Sequence, residues 1–249
     1  MKHHLLTAAA AAVLAAGMAT GAAAEIVPIH SYHLDGSLAD SYGGPSLTSY
    51  GGELGANGYA FDYHEGLGLA TSAFADPAVY SVELYFQFDA VNSAYGRILN
   101  SSGNDDGLYV HSGNVSYYSD HAAYDGTAFS LGTMHHLVFA RSNTSMQIYV
   151  DGALARNLNG DPASSKILNP LLFFIDEGSE DGRGYVDFIQ TFDTALSAAD
   201  VATLYNNGRP SPAGPSVSDS VPEPAEWALM LAGFGLAGAG LRRRTARAA

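Results

Sequence analysis

The chain of 249 residues has no cysteine, one tryptophan, and only 11 Lys and Arg against 25 Asp and Glu. Without cysteine it cannot be a disulfide scaffold. A formal net charge of −14 repels phosphate and argues against a nucleic-acid binder. Charged residues make up just 14% and aromatics 11%, so the chain is not of the disordered class, which is highly charged and poor in aromatics. What remains is a chain that is 47% hydrophobic, with 15 Tyr, 11 Phe and 28 Gly, long enough for one domain of about 190 residues between two unusual ends.

Charge is sorted by position. All 25 acidic residues fall between Glu25 and Glu226, where they meet six cations: Arg97, Arg141, Arg156, Lys166, Arg183 and Arg209. Lys2 opens the chain, and Arg242, Arg243, Arg244 and Arg247 close it. Such sorting is what membrane targeting needs. Residues 1–24 read as a secretory signal: Lys2 as the positive region, Leu5 to Ala16 as the apolar region, and Ala22-Ala23-Ala24 as the cleavage site. Export without cysteine leaves stability to core burial, with or without a metal ion.

The other end runs through a Pro/Ser-rich linker, 209–220, to Val221-Pro222-Glu223-Pro224. An apolar run from Trp227 to Leu241 follows, and then Arg242, Arg243 and Arg244. As a helix, that run of 15 residues spans about 22 Å, less than the roughly 20 residues of a stable transmembrane segment. The arginines belong on the cytoplasmic side, which puts the domain outside. This segment, 221–249, resembles the PEP-CTERM sorting signal of Gram-negative bacteria. The resemblance implies an exosortase-type processing enzyme as partner, transient anchoring through 227–241, and delivery to the envelope or an exopolysaccharide matrix. Hydropathy alone equally allows an uncleaved anchor.

Between the ends the signal is β. In Ser81–Phe88, Val82, Leu84, Phe86 and Phe88 alternate with Ser81, Glu83, Tyr85 and Gln87, the pattern of a half-buried antiparallel strand. Met146–Val150 alternates and runs into Asp151-Gly152, which suits a type I′ hairpin turn. Gly107–His111, Met134–Phe139 and Gly184–Phe192 are further strands, and the continuously apolar Leu171–Ile175 reads as a central strand covered on both faces. One helix is expected after Ser197, an N-cap with Asp200 at N3, and Gly208 should end it. Many short strands with one late helix predict an all-β, two-sheet antiparallel sandwich or jelly roll over 25–208.

That middle resembles the laminin-G-like and concanavalin-A-like jelly-roll modules of bacterial exoproteins. The residues that carry the likeness are Tyr32–Ser41, Gly58–Asp62, Ser81–Leu84, His135–Val138, Ile148–Gly152, Gly184–Ile189 and Ala195–Tyr205, in that order. Two positions depart from the pattern: Met134, where an aromatic is usual, and Phe188, where an acid is usual. The resemblance implies one structural calcium, with Asp187 as a ligand and Asp62 at the end of the matching strand; a solvent-facing or hydrogen-bonded Asp187 is the competing reading.

Catalysis is not expected. Glycoside hydrolysis needs two carboxylates on one cleft, which on a strand means positions i, i+2 or i+4. Glu83 stands alone on its strand, while Asp176, Glu177, Glu180 and Asp181 fall in a Gly-rich stretch that reads as a solvated acidic loop. His135 and His136 are adjacent, so they point to opposite faces of a strand and cannot share a metal; one should be packed and one exposed. Glycan binding takes aromatic faces and polar edges. Tyr117, Tyr118, Asp120 and His121 form the densest such patch, with tyrosine packing at strand ends as the alternative. The sequence therefore predicts an exported, non-enzymatic adhesion or carbohydrate-binding module. A structural or protein-binding matrix component is the second reading and a divergent glycan hydrolase the third.

Overall fold

The computed structural model describes residues 26–101, 106–118, 127–159, 166–168, 170–176 and 178–210. The leader at 1–24, the segment 211–220 and the sorting segment 221–249 lie outside the described residues. Two antiparallel sheets pack face to face. One runs in the order β13 (Ala153–Asn159), β12 (Ser145–Val150), β11 (His135–Arg141), β6 (Tyr80–Val91), β15 (Gly182–Phe192), β4 (Tyr59–Phe61) and β3 (Glu53–Leu54), with β1 (His30–Tyr32) also paired to β15. The other runs β10 (Thr127–Ala128), β9 (Asn114–Tyr118), β8 (Gly107–His111), β7 (Tyr95–Asn100), β14 (Leu171–Phe173), β5 (Gly66–Leu69) and β2 (Thr48–Tyr50). The expected all-β sandwich is thus the fold, with one helix, α1 (Ala198–Asn207), after the last strand.

The period of two along β6 builds the core. Val82, Leu84, Phe86 and Phe88 are fully buried and meet Leu67, Leu69, Ile98, Leu108, Val110 and Val115 from the opposing sheet. Phe61 stacks on Phe174 at 4.2 Å between ring centres, and Phe86 and Phe88 meet edge to face at 5.3 Å. Each such ring, taken out of water, contributes about 2–3 kcal/mol. Asp151 (φ 50°) and Gly152 (φ 76°) form the expected left-handed hairpin turn. Ser197 accepts the Asp200 amide while Asp200 accepts the Ser197 amide, the reciprocal cap anticipated for α1.

Three expectations need correction. The second face of β6 is not solvent-facing along its first half: Ser81 and Glu83 are buried there. Helix α1 lays Val201 and Leu204, with Leu196 ahead of it, across Val138, Ala140, Tyr149 and Phe192 on this outer face. The apolar run 171–175 gives only a three-residue strand with a half-buried Leu172. Phe174 leaves the strand at φ 69° and turns its ring onto Phe61 instead. Third, His135 and His136 do point to opposite faces, but both are buried. His135 bonds Asp151 at 2.8 Å and Ser130 at 3.2 Å. His136 bonds Glu83 at 2.7 Å beneath Tyr205 of α1.

No helix among the described residues is long and apolar enough to cross a membrane.

Candidate functional site

A pocket of about 490 Å³ opens at the β3–β4–β15–β6 end of the first sheet, lined by Gly52, Glu53, Ala60, Asp62, Glu65, Asp89, Arg183 and Gly184 around the edge of Phe61. Its shape comes from a β-bulge. Gly184 pairs with Phe88 and Arg183 with Ala90, so Asp89 is left unpaired and swings outward. A Cβ at Gly184 would collide with the Gln87 carbonyl, so only glycine lets the two backbones approach this closely. On the far wall Glu65 accepts the Asp62 amide at 2.8 Å, and Asp62 accepts the Tyr63 amide at 2.8 Å. Asp89 accepts from Gln87 at 2.6 Å. All three carboxylates line the pocket. Arg183 is exposed and makes no ion pair with a described residue. The pocket thus presents acceptors on several sides and one strong donor, in the size range of a small-ligand site. Tyr185, opposite Ala60 in the ladder, is half-buried and donates its hydroxyl to the Asn57 carbonyl.

A second polar-aromatic surface lies on the outer face of the other sheet. Tyr95 stacks on its cross-strand partner His111 at 4.1 Å, and Tyr109 meets Tyr95 at 6.3 Å and Tyr118 at 6.5 Å, both edge to face. Beneath them Arg97 is wholly buried. Its Nε donates to Asp176 at 2.9 Å, its Nη2 donates to the same oxygen, and its carbon lies 4.3 Å over the Tyr109 ring. Burial opposes the Asp176 charge, but Arg97 and the Gly178 and Glu180 amides outweigh it and hold the carboxyl below its usual pKa. Asp181, likewise buried, pairs with His64 at 2.8 Å. The stretch 176–181, expected to be a solvated acidic loop, is instead a pair of anchors for Arg97 and His64; Glu177 lies outside the described residues. Burial lowers the His111 pKa, which favours the neutral ring against Tyr95.

Of the aromatic patch anticipated from the sequence, Tyr118 belongs to this outer face and is half-exposed. Tyr117 does not: it is 3% exposed and stacks on Phe139 in the core. Consecutive strand residues face opposite ways, so the two tyrosines could not share a ligand. Asp120 and His121 lie outside the described residues, as do Val221, Pro222, Glu223, Pro224, Arg242, Arg243 and Arg244 of the sorting segment. The arginines at 97 and 183 and the Tyr95–His111 stack were not anticipated. Their signal is the i, i+2 spacing of Tyr95 with Arg97 and of Tyr109 with His111, which sets each pair on one strand face.

The two aspartates that the family likeness implies for calcium, Asp187 and Asp62, do not fit it as a pair. Asp187 continues the β15–β4 ladder opposite Gly58, and Asp62 opposite Arg183. That is four strand positions apart, roughly 13 Å, whereas calcium needs ligand oxygens within about 2.6 Å. Asp62 is exposed in the turn after β4, and Asp187 already receives Arg209 Nε at 2.8 Å.

Comparison with known proteins accords with this architecture. Residues 61–202 match the family model of the concanavalin A-like lectin/glucanases superfamily, and residues 220–244 match the PEP-CTERM protein-sorting motif. No curated protein sequence matches the chain. Among solved structures, Trypanosoma rangeli sialidase in complex with the inhibitor DANA aligns at TM-score 0.58 and 16% identity, over 71% of this chain and 32% of the sialidase. The chain therefore spans about a third of that protein's length. Domain 4 of AbnA, a GH43 extracellular arabinanase from Geobacillus stearothermophilus, in complex with arabinotriose, aligns at TM-score 0.53 and 16% identity, over 71% of this chain and 97% of that domain. At such identity these likenesses speak to the fold.

Proposed function

The chain belongs to the concanavalin A-like lectin/glucanases superfamily and carries a PEP-CTERM protein-sorting motif, and from that premise we propose that it is an exported carbohydrate-binding module without catalytic activity. The sorting motif implies export, transient membrane anchoring and processing by an exosortase-type enzyme in a Gram-negative bacterium. Its destination in this reading is the envelope or an exopolysaccharide matrix.

The observation that carries the binding proposal is the pocket at Asp62, Glu65, Asp89 and Arg183. Carboxylate oxygens accept from sugar hydroxyls and the guanidinium donates back, the polar half of glycan recognition. Four carboxylates against one arginine favour neutral sugars over acidic ones. Glu53, Asp62 and Asp89 are exposed in an open site that does not exclude water, which supports binding over hydrolysis. A second reading places the glycan on the Tyr95–His111–Tyr118 face, favoured by its stacked rings.

The test is calorimetric titration of the full chain with a panel of neutral oligosaccharides, in parallel with a reducing-end assay. Arg183→Ala or Asp62→Asn should weaken binding about 10- to 100-fold, the worth of a hydrogen bond to a charged group. Loss on Tyr118→Ala alone would move the site to the other face. Sugar release abolished by Asp62→Asn would replace binding with hydrolysis, and no sugar bound at all would leave a protein-binding or structural role in the matrix.

A further inference from the structure

Arg209, one residue beyond the glycine that ends α1, is tied into the sandwich from outside every strand. Its Nε donates to Asp187 at 2.8 Å. Its Nη2 donates to Asp35 at 2.7 Å and to the His33 carbonyl at 3.0 Å. Two backbone irregularities aim these oxygens at one point. Asp187 is the extra residue of a β-bulge, since Val186 pairs with Phe86 and Phe188 with Tyr85. Leu34, between His33 and Asp35, is fully buried and sits at φ 55°, a left-handed backbone that is costly for leucine. The strain is held by the core, and it turns the His33 carbonyl and the Asp35 carboxylate toward the same guanidinium.

Two carboxylates and a carbonyl converging from the segment after β1 and from β15 are the oxygen set that a hard divalent cation also takes. Here a planar guanidinium fills it, through two nitrogens. Burial pushes the Asp187 carboxyl up, against the pull of Arg209, while the Asp35 bond leads in raising Arg209. An aspartate desolvated in this way needs a cation, and the sequence supplies few: six between residues 25 and 210, against 22 acids.

We propose that Arg209 is the structural cation of this sandwich. Its guanidinium replaces a divalent ion at Asp35, Asp187 and the His33 carbonyl. The domain therefore needs no calcium, and it includes residue 209, inside the segment that leads to the sorting motif. Arg209 ties the segment after the first strand to the last strand. Processing at or after Val221 leaves this tie intact, whereas cleavage before 209 would remove the cation with the tail.

The test is thermal unfolding of the full chain in chelator and in 5 mM calcium, about five times the weak end of extracellular calcium sites, for the unsubstituted protein, Arg209→Ala, Arg209→Lys and Asp35→Asn. The unsubstituted chain should melt at the same temperature in both buffers. Arg209→Ala should melt roughly 2–4 °C lower in chelator, because its partners are partly exposed, and recover part of that loss in calcium. Arg209→Lys, with a point charge and no fork, should fall between. If Arg209→Ala does not fold, Arg209→Lys and Asp35→Asn carry the same comparison. A rise of several degrees in the unsubstituted chain with calcium would overturn the proposal, and so would variants that melt like the parent in both buffers.

Discussion

Replacing Asp176 by Asn tests how the outer face of the second sheet is held. Arg97 is fully buried, and Asp176 is 7% exposed. The substitution keeps the shape of the side chain but strips the charge from the two bonds Asp176 accepts from Arg97, at Nε (2.9 Å) and Nη2. Breaking a buried ion pair from one side costs about 3–5 kcal/mol. For a domain of about 190 residues that is a fall in Tm of roughly 6–20 °C. Tyrosine circular dichroism is a suitable probe, because Tyr109, stacked on Arg97, and Tyr95 against it report the loss of packing directly. The acid limb provides a second readout. Arg97 holds the Asp176 pKa below its unfolded value, so its stabilisation is present above about pH 4 and is lost as pH falls through the lower folded value. Asp40 behaves the same way: its burial is outweighed by the Ser31 amide, His30 and the Tyr42 and Gly44 amides. Asp176→Asn should therefore flatten the acid limb without abolishing it. The double variant Arg97→Met/Asp176→Leu, with no stranded charge, should regain much of the loss. A loss below about 1 kcal/mol for Asp176→Asn would refute the account, since that is the worth of an exposed pair.

Tyr117→Ala and Tyr118→Ala should separate cleanly: removing the buried ring costs about 3–5 kcal/mol, while removing its half-exposed neighbour shifts Tm by no more than a few degrees. Denaturant unfolding of the two variants decides this, and equal losses would contradict the strand alternation. Ala94→Gly should stabilise the protein by up to about 1 kcal/mol, because Ala94 sits at φ 69° in the β6–β7 turn, where glycine is unstrained; a lower Tm would mean that the Ala94 methyl packs.

Several features were legible from local pattern alone. The alternation of Val82, Leu84, Phe86 and Phe88 carries its own buried face, because a strand turns every second side chain to the same side. Asp151-Gly152 and the Ser197/Asp200 cap are likewise local, each needing only a few consecutive residues. The candidate site was less legible. Asp62 was singled out, but as a partner for Asp187, and it proves instead to line the pocket with Asp89 and Arg183. No local signal marks the bulge that turns Asp89 out, since it depends on how β6 and β15 are aligned across more than ninety residues. Tyr118 was found together with Tyr117 because density in sequence does not distinguish the two faces of a strand.

Sequence alone determined the things whose physics is short-ranged or compositional: the all-β class, the faces of individual strands, the tight turns, the cap of the helix and the order of parts in the sorting tail. Tertiary structure decided which outer face is covered and which charges meet. Arg97 finds Asp176 across 79 residues and Arg209 finds Asp35 across 174. Such pairs exist because register and bulges bring distant strands side by side, and burial makes each charge depend on its partner. A charge that reads as solvated in the sequence becomes an anchor only once the sheet above it has been placed.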